Sequence, residues 1–436
     1  MKFGGTSVGS AERIRGVAHI VKTALKAKPV VVVSAVAGVT NVLISIARER
    51  SKSKRLSDIK NLKTLHQKML VELNLDASLL DVEFAELETL SKKEQKISPK
   101  VLDAYVSFGE RLCAPLVAGA LEAVGVPAKA FPAWELGMIT DEKFGGAEPL
   151  QSSLPLLKKK IEALKMVPVI TGYIGKTKKG AVTTLGRGGS DYTAALIGAA
   201  LKADKIQIWK EVDGIMTSDP RLVPEARVIP ELAFEEAAEL AYFGAKVLHP
   251  KTIMPAMKNG IPVQVLNTFK PGEKGTTIVA TFKKRRNKTE TVEALTFKKH
   301  ITALHIESPE FFDGSGLMAG IFTLCHQHNT SVDVVSTSVA SVSLTIDNDR
   351  ELPTLARALE KFGSVRVERG KAIVCAVGGS VNAAGVAGKM FTALGKAHIA
   401  VEMISQAAGG VSITFVVKES DAEKAVEVLH KEYIKP

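Results

Sequence analysis

Six residues, Pro29-Val30-Val31-Val32-Val33-Ser34, narrow the folds open to this chain more than any other feature. The run is apolar and β-branched, with no polar residue at alternate positions, so the strand it predicts has both faces buried. Similar runs recur at Ala128–Phe131, Val167–Thr171, 181–184 and 205–209, and helical patterns lie between them, as at 10–26 and 105–124. Such alternation predicts an α/β domain with a largely parallel sheet and helices on both faces. Ligands of such sheets bind beyond the carboxyl ends of the strands, which is where this chain places its polar, glycine-bearing segments.

The richest of these is Gly186-Arg187-Gly188-Gly189-Ser190-Asp191, running straight into an alanine-rich helical stretch. Ser190 or Asp191 is the expected N-cap. Free N–H groups and the positive end of a helix dipole suit such a turn to an anion, and the adjoining arginine and carboxylate favour that over a plain capped turn. Three more segments have a similar character. Lys2-Phe3-Gly4-Gly5-Thr6-Ser7-Val8 sets a lysine against glycines and hydroxyls. Ser34-Ala35-Val36-Ala37-Gly38-Val39-Thr40-Asn41 follows the strongest strand, and Ser107-Phe108-Gly109-Glu110-Arg111 puts a carboxylate in an apolar stretch. Each alone is more often structural. Together they supply cations and N–H groups for phosphate, hydroxyls and an arginine for a carboxylate, and acids for metal or ammonium.

Two other phosphate motifs fail. Gly175-Lys176-Thr177 lacks the earlier glycine of a P-loop, since position 170 is Ile170, and Gly314-x-Gly316-x-x-Ala319 has no surrounding dinucleotide-binding unit. The net charge of +12 comes partly from clusters at 52–63 and 283–288. Neither is interleaved with aromatics, so a solvated face and a linker are expected rather than a nucleic-acid site. The surplus would still draw in anionic substrates. Cys113, Cys325 and Cys375 are far apart and odd in number, against a disulfide framework or zinc site. His326 and His328 diverge on a helix, and no metal ligand set is predicted. Apolar runs are too short to span a bilayer and no leader is apparent, so a cytoplasmic location without a membrane partner is expected.

Beyond residue 280 the pattern changes. Shifting 316–346 by 69 positions superposes Gly316 on Gly385, Phe322 on Phe391, Thr323 on Thr392, Val332 on Val401, Ser336 on Ser405 and Thr345 on Thr414, with Asp333 on Glu402. A register this long predicts two small α+β modules. The expected divisions are a catalytic domain over 1–282, a basic linker over 283–299, and modules over 300–367 and 368–436, with the last strand a candidate to complete the first module.

These segments, with 208–221 and Phe243-Gly244-Ala245-Lys246-Val247-Leu248-His249-Pro250, resemble the aspartate kinases of the amino acid kinase family, and the repeats resemble their tandem ACT (ferredoxin-like) modules. The resemblance covers essentially the whole chain. It implies phosphoryl transfer from ATP, as its Mg²⁺ complex, to the β-carboxylate of L-aspartate, giving 4-phospho-L-aspartate. It implies Lys2 and Asp191 at the reacting phosphate, and Thr40, Glu110, Arg187 and Ser190 on the substrate. Lys2, Gly4, Gly5, Lys210, Glu211, Met216, Arg221 and Lys246 would bind ATP, and Gly316, Leu317, Met318, Ser331 and Asp333 an amino-acid effector. Edge-to-edge pairing of ACT modules implies a homodimer.

The chain departs from the family pattern in three places. Lys2 directly follows Met1, so either the true start lies upstream or the first strand is truncated, with Lys2 then poorly held. Met216 replaces a common tyrosine, and Val339 replaces the acid of the usual effector segment. The alternatives are a kinase for glutamate or N-acetylglutamate, whose families generally lack the 107–111 motif and the repeats, and an inactive amino-acid sensor on the same scaffold.

Overall fold

A computed structural model describes the chain apart from residues 94–95, 245–247, 249, 281–290, 309–315, 409 and 435–436. It contains two compact units. The first comprises 1–215, 230–234 and 247–281. At its centre an eight-stranded sheet runs, edge to edge, Ala128–Phe131, Val167–Thr171, Val31–Val33, Lys2–Phe3, Ile206–Lys210, Val263–Asn267, Thr276–Val279 and Glu231–Ala233. All pairings are parallel except that of Val263–Asn267 with Thr276–Val279. The valine run lies inside the sheet, as its composition requires. Val31 and Val33 join an apolar cluster with helices Ala11–Thr23, Lys52–Leu73 and Phe108–Ala123, whereas Val32 is buried outside it. Successive strand residues point to opposite faces, so this split marks a sheet covered on both sides.

Lys2 is firmly held, contrary to expectation. Its two-residue strand pairs with Val32–Val33 on one side and Ile208–Trp209 on the other. The stretch 105–124 is not one helix. Pro99–Val106 and Phe108–Ala123 meet at Ser107, so Asp103 and Glu110 project from different helices. A second, three-stranded sheet is built from Ile139–Thr140, Ile174–Thr177 and Val182–Thr184.

The second unit comprises 216–229, 235–246 and 282–436, so the catalytic boundary expected at 282 is not one cut. Within it Val223 packs into the apolar cluster of the second module, and the Thr217 hydroxyl lies 3.0 Å from His430 Nε2. Its antiparallel sheet runs Val335–Thr337, Ser341–Ile346, Ala294–Glu307, Ser364–Val377, Ser412–Lys418, Met403–Gln406. Gly316 and Gly385, equated by the repeat, both serve as N-caps, of helices Leu317–Gln327 and Val386–Lys396. The two longest strands are shared between the modules. Ile301 to Glu307 pair with the start of Ser364–Val377 over the first core, and Ala294 to Lys298 with its end over the second. Residues 294–299 are therefore strand rather than linker, and the rest of the expected linker lies mostly outside the described residues. The last strand, Ser412–Lys418, packs into the second core rather than completing the first module, and the last described element is helix Ala422–Tyr433.

Among the described residues no helix is long and apolar enough to cross a membrane.

Candidate active site

Two helix N-termini border one cleft in the first unit. Helix Val39–Arg48 starts from Gly38 (φ 84°) and helix Gly189–Leu201 from Gly188 (φ 72°), and no side chain caps either. The expected N-caps, Ser190 and Asp191, instead occupy the first turn. The left-handed turn that glycine permits starts the helix two residues earlier, freeing both side chains for the cleft. Gly5 is required for another reason. A Cβ there would lie 2.8 Å from the Ala35 carbonyl oxygen, so only glycine lets the Lys2 turn pass the loop after the valine strand. That turn is tied down by Ser7, whose hydroxyl lies 2.7 Å from that of Thr268.

The cleft has a volume of about 490 Å³ and brings together Lys2, Gly5, Thr40, Glu110, Arg187, Ser190 and Asp191. Lys2 Nζ lies 2.6 Å from Asp191 Oδ1, and Lys210 Nζ 3.1 Å from Asp191 Oδ2. Burial works to raise the Asp191 carboxyl, but the two ammonium groups outweigh it and hold it below its ordinary range. One carboxylate shared by two cations leaves net positive charge in a buried place. Arg187 adds to it, since it is exposed and makes no ion pair among the described residues. An anion is what this arrangement lacks.

Glu110 does not cancel that charge. Only 3% exposed, it accepts one hydrogen bond from Ala35 N at 3.1 Å, through Oε1, and Oε2 is buried without a hydrogen-bond partner. Burial pushes its carboxyl up to about 8. A cationic ligand group would satisfy Oε2 and draw off the proton.

The other expected residues separate. Gly4 is buried beside Lys2, its N–H donating to the Trp209 carbonyl, and Glu211 is exposed outside the cleft lining. Met216 and Arg221 belong to the second unit, where Met216 bridges to Val228 and Arg221 pairs with Asp219 at 2.6 Å. Lys246 lies outside the described residues. Of the effector set, Leu317 and Met318 open a helix behind Gly316, and Ser331 is exposed. Asp333 is already engaged: its carboxylate is 1% exposed, 3.0 Å from Lys298 Nζ, and accepts from the Tyr242 hydroxyl at 2.6 Å. Among the described residues no group of three His, Cys, Asp or Glu side chains is placed to hold a metal ion.

Two contributors were missed from sequence. Tyr173 lines the cleft with φ 67°, a costly conformation for an aromatic residue. Its place after strand Val167–Thr171, at a carboxyl end, was the available signal. Asp103 is buried beneath the loops, and its acid within Val101-Leu102-Asp103-Ala104-Tyr105 gave only a weak one.

Residues 1–267 match the amino acid kinase family and residues 374–433 the ACT domain. The chain is 38% identical to aspartokinase 1, chloroplastic, of Arabidopsis thaliana, across 99% of this chain and 79% of that protein. Over its full length it superposes on 99% of Escherichia coli aspartokinase III in complex with aspartate and ADP, in the R-state, at TM-score 0.84 and 33% identity. It likewise superposes on 99% of the T-state complex of that enzyme with lysine and aspartate, at TM-score 0.80 and 34% identity. The chain belongs to the aspartokinases, members of the amino acid kinase family that carry C-terminal ACT domains.

Proposed function

We infer that this protein transfers the γ-phosphoryl group of ATP to the β-carboxylate of L-aspartate. The observation that carries the reading is the cleft that brings Lys2 and Asp191 together with Arg187 and Glu110, with Lys210 paired to the other oxygen of Asp191. A carboxylate nucleophile is already ionised at neutral pH, so no base is needed. A β-carboxylate oxygen bonds to the γ-phosphorus, the bond to the bridging oxygen breaks, and ADP departs with that electron pair. The difficulty is bringing anion to anion through a transition state that spreads charge over the phosphoryl oxygens. Lys2, buried, and Lys210, partly buried, are paired with Asp191 before substrate arrives, so their field is set in advance.

Arg187 suits the substrate α-carboxylate as a bidentate fork. Glu110 Oε2 suits the ammonium, and Thr40 and Ser190 offer hydroxyls between them. Gly5 would give phosphate oxygens access to backbone, and Gly4, its N–H held by the Trp209 carbonyl, would keep the turn close to Lys2. Glu211, Met216, Arg221 and Lys246 complete the proposed nucleotide set. Magnesium enters on the nucleotide phosphates as part of the substrate.

We extend the proposal to regulation. An amino-acid effector would bind the first module at Gly316, Leu317, Met318 and Ser331, and its ammonium would have to displace Lys298 from Asp333. The modules would also join two copies into a homodimer, which sedimentation of the intact chain would test.

Acceptor choice tests the central reading. ADP release should be fast with L-aspartate and at least about a hundredfold slower with L-glutamate or N-acetylglutamate, because Arg187 and Glu110 would hold the two groups on the α-carbon and Lys2 the phosphate, leaving one chain length for the reacting carboxylate to span, and an acetylated amine offers Glu110 no ammonium. Preference for either longer acceptor would overturn it.

A further inference from the structure

We propose that Asp103 is a positioning residue for substrate recognition, setting the Arg187 turn by clasping the two segments beside it; this rests on the reading of Arg187 as the carboxylate fork. Asp103 stands on helix Pro99–Val106, is 2% exposed and does not line the cleft. Its Oδ2 accepts from Gly145 N at 2.9 Å and Thr184 N at 3.0 Å, and its Oδ1 from the Thr184 hydroxyl at 2.8 Å.

Those donors frame the turn. Thr184 ends strand Val182–Thr184, two residues before Gly186, and Gly145 itself lines the cleft. The two segments also bond to each other, Ala147 N donating to the Thr184 carbonyl at 2.8 Å. A Cβ on Gly186 would lie 3.3 Å from the Gly145 carbonyl oxygen, so the 145 loop closes over the turn's first glycine. Between Gly186 (φ 77°) and Gly188 (φ 72°), Arg187 sits on permissive backbone and, among the described residues, has no ion pair to hold its head. Its aim is therefore inherited from the frame. An acceptor-only carboxylate matches three donors; an alanine would leave the buried Thr184 amide unsatisfied and the Gly145 amide untethered.

The test separates positioning from packing and from charge. Asp103→Ala should raise KM for aspartate about tenfold or more, with KM for ATP within about twofold of wild type. Asp103→Asn can accept from both amides through its oxygen and donate to the Thr184 hydroxyl, so it should restore KM to within about threefold. Thr184→Val, which keeps both amide bonds but removes the hydroxyl's bond to Asp103 together with its bond to the Tyr173 side chain, should give a smaller rise in the same KM and covers the case in which Asp103→Ala does not fold. An unchanged KM in the variants that fold, equal rises for both substrates, or an Asp103→Asn variant as impaired as Asp103→Ala would each overturn the proposal. Wild-type protein turning over a different acceptor would defeat the functional reading instead. The KM comparison is then made with that acceptor, where the same pattern still supports the role of Asp103 and its absence overturns it.

Discussion

Arg187 and Asp191 are four residues apart in one turn and are assigned to different halves of the reaction. Arg187 is exposed and free to meet a carboxylate, whereas Asp191 is buried between Lys2 and Lys210. Arg187→Ala should raise KM for aspartate about 30- to 100-fold with kcat changed little, the cost of losing charge-assisted hydrogen bonds. Asp191→Ala should lower kcat about 10²- to 10³-fold with smaller effects on KM, because it releases the two lysines from their places at the phosphate. Steady-state kinetics on both variants checks the division, and the reverse pattern would refute it. Glu110 adds a pH dependence. Its folded-state carboxyl titrates at about 8 and an unfolded glutamate near 4.5, so between these values the folded protein holds a proton that the unfolded chain has lost. Stability at this site therefore falls as pH rises from 4.5 to 8. Glu110→Gln should remove that penalty, by on the order of a few kcal/mol at pH 8 and by little near pH 5, measured as a melting-temperature difference. In the wild type, KM for aspartate should fall as pH rises toward 8, because the carboxylate has to be ionised to hold an ammonium.

Among elements, the parallel strands were legible because each is a short local run whose composition reports burial on both faces. The glycine turns were legible because only glycine meets their backbone geometry. What depended on distant partners was not. The N-cap of helix Gly189–Leu201 was misassigned because its serine and aspartate had other work in the cleft. The break at Ser107 carries no proline to announce it, and Asp103 and Tyr173 earn their places through residues 40 to 80 positions away or through backbone angle. The sharing of strand Ala294–Glu307 between modules was hidden because its two halves read as one β-rich stretch beside a charged run. That strand gives a test. Leu295 is 1% exposed in the second module's core, so Leu295→Ala should destabilise the regulatory unit by about 2–5 kcal/mol in thermal or denaturant unfolding, with KM for aspartate unaltered at temperatures where the chain is folded. Lys298 gives another. It occupies Asp333 where an effector ammonium is proposed to bind, so Lys298→Met should lower severalfold the concentration needed for half-inhibition by an inhibitory amino acid, found by assay with lysine, threonine and methionine. No change would place the effector elsewhere.

For the molecule as a whole, the catalytic unit and the shared-strand regulatory unit correspond to the two matched families, but the chain passes between them several times. Segments 216–229 and 235–246 belong to the second unit although residues on both sides of each build the first. Met216 and Arg221, proposed from sequence for the nucleotide, are carried by the second unit. Underneath any regulation lies one chemical claim, that the acceptor is a carboxylate. The most direct measurement is hydroxylamine trapping by the intact chain with ATP, Mg²⁺ and L-aspartate, reading hydroxamate and ADP together. An acyl phosphate intermediate predicts aspartate β-hydroxamate in step with ADP; ADP formed without hydroxamate, or no turnover of aspartate at all, would contradict it.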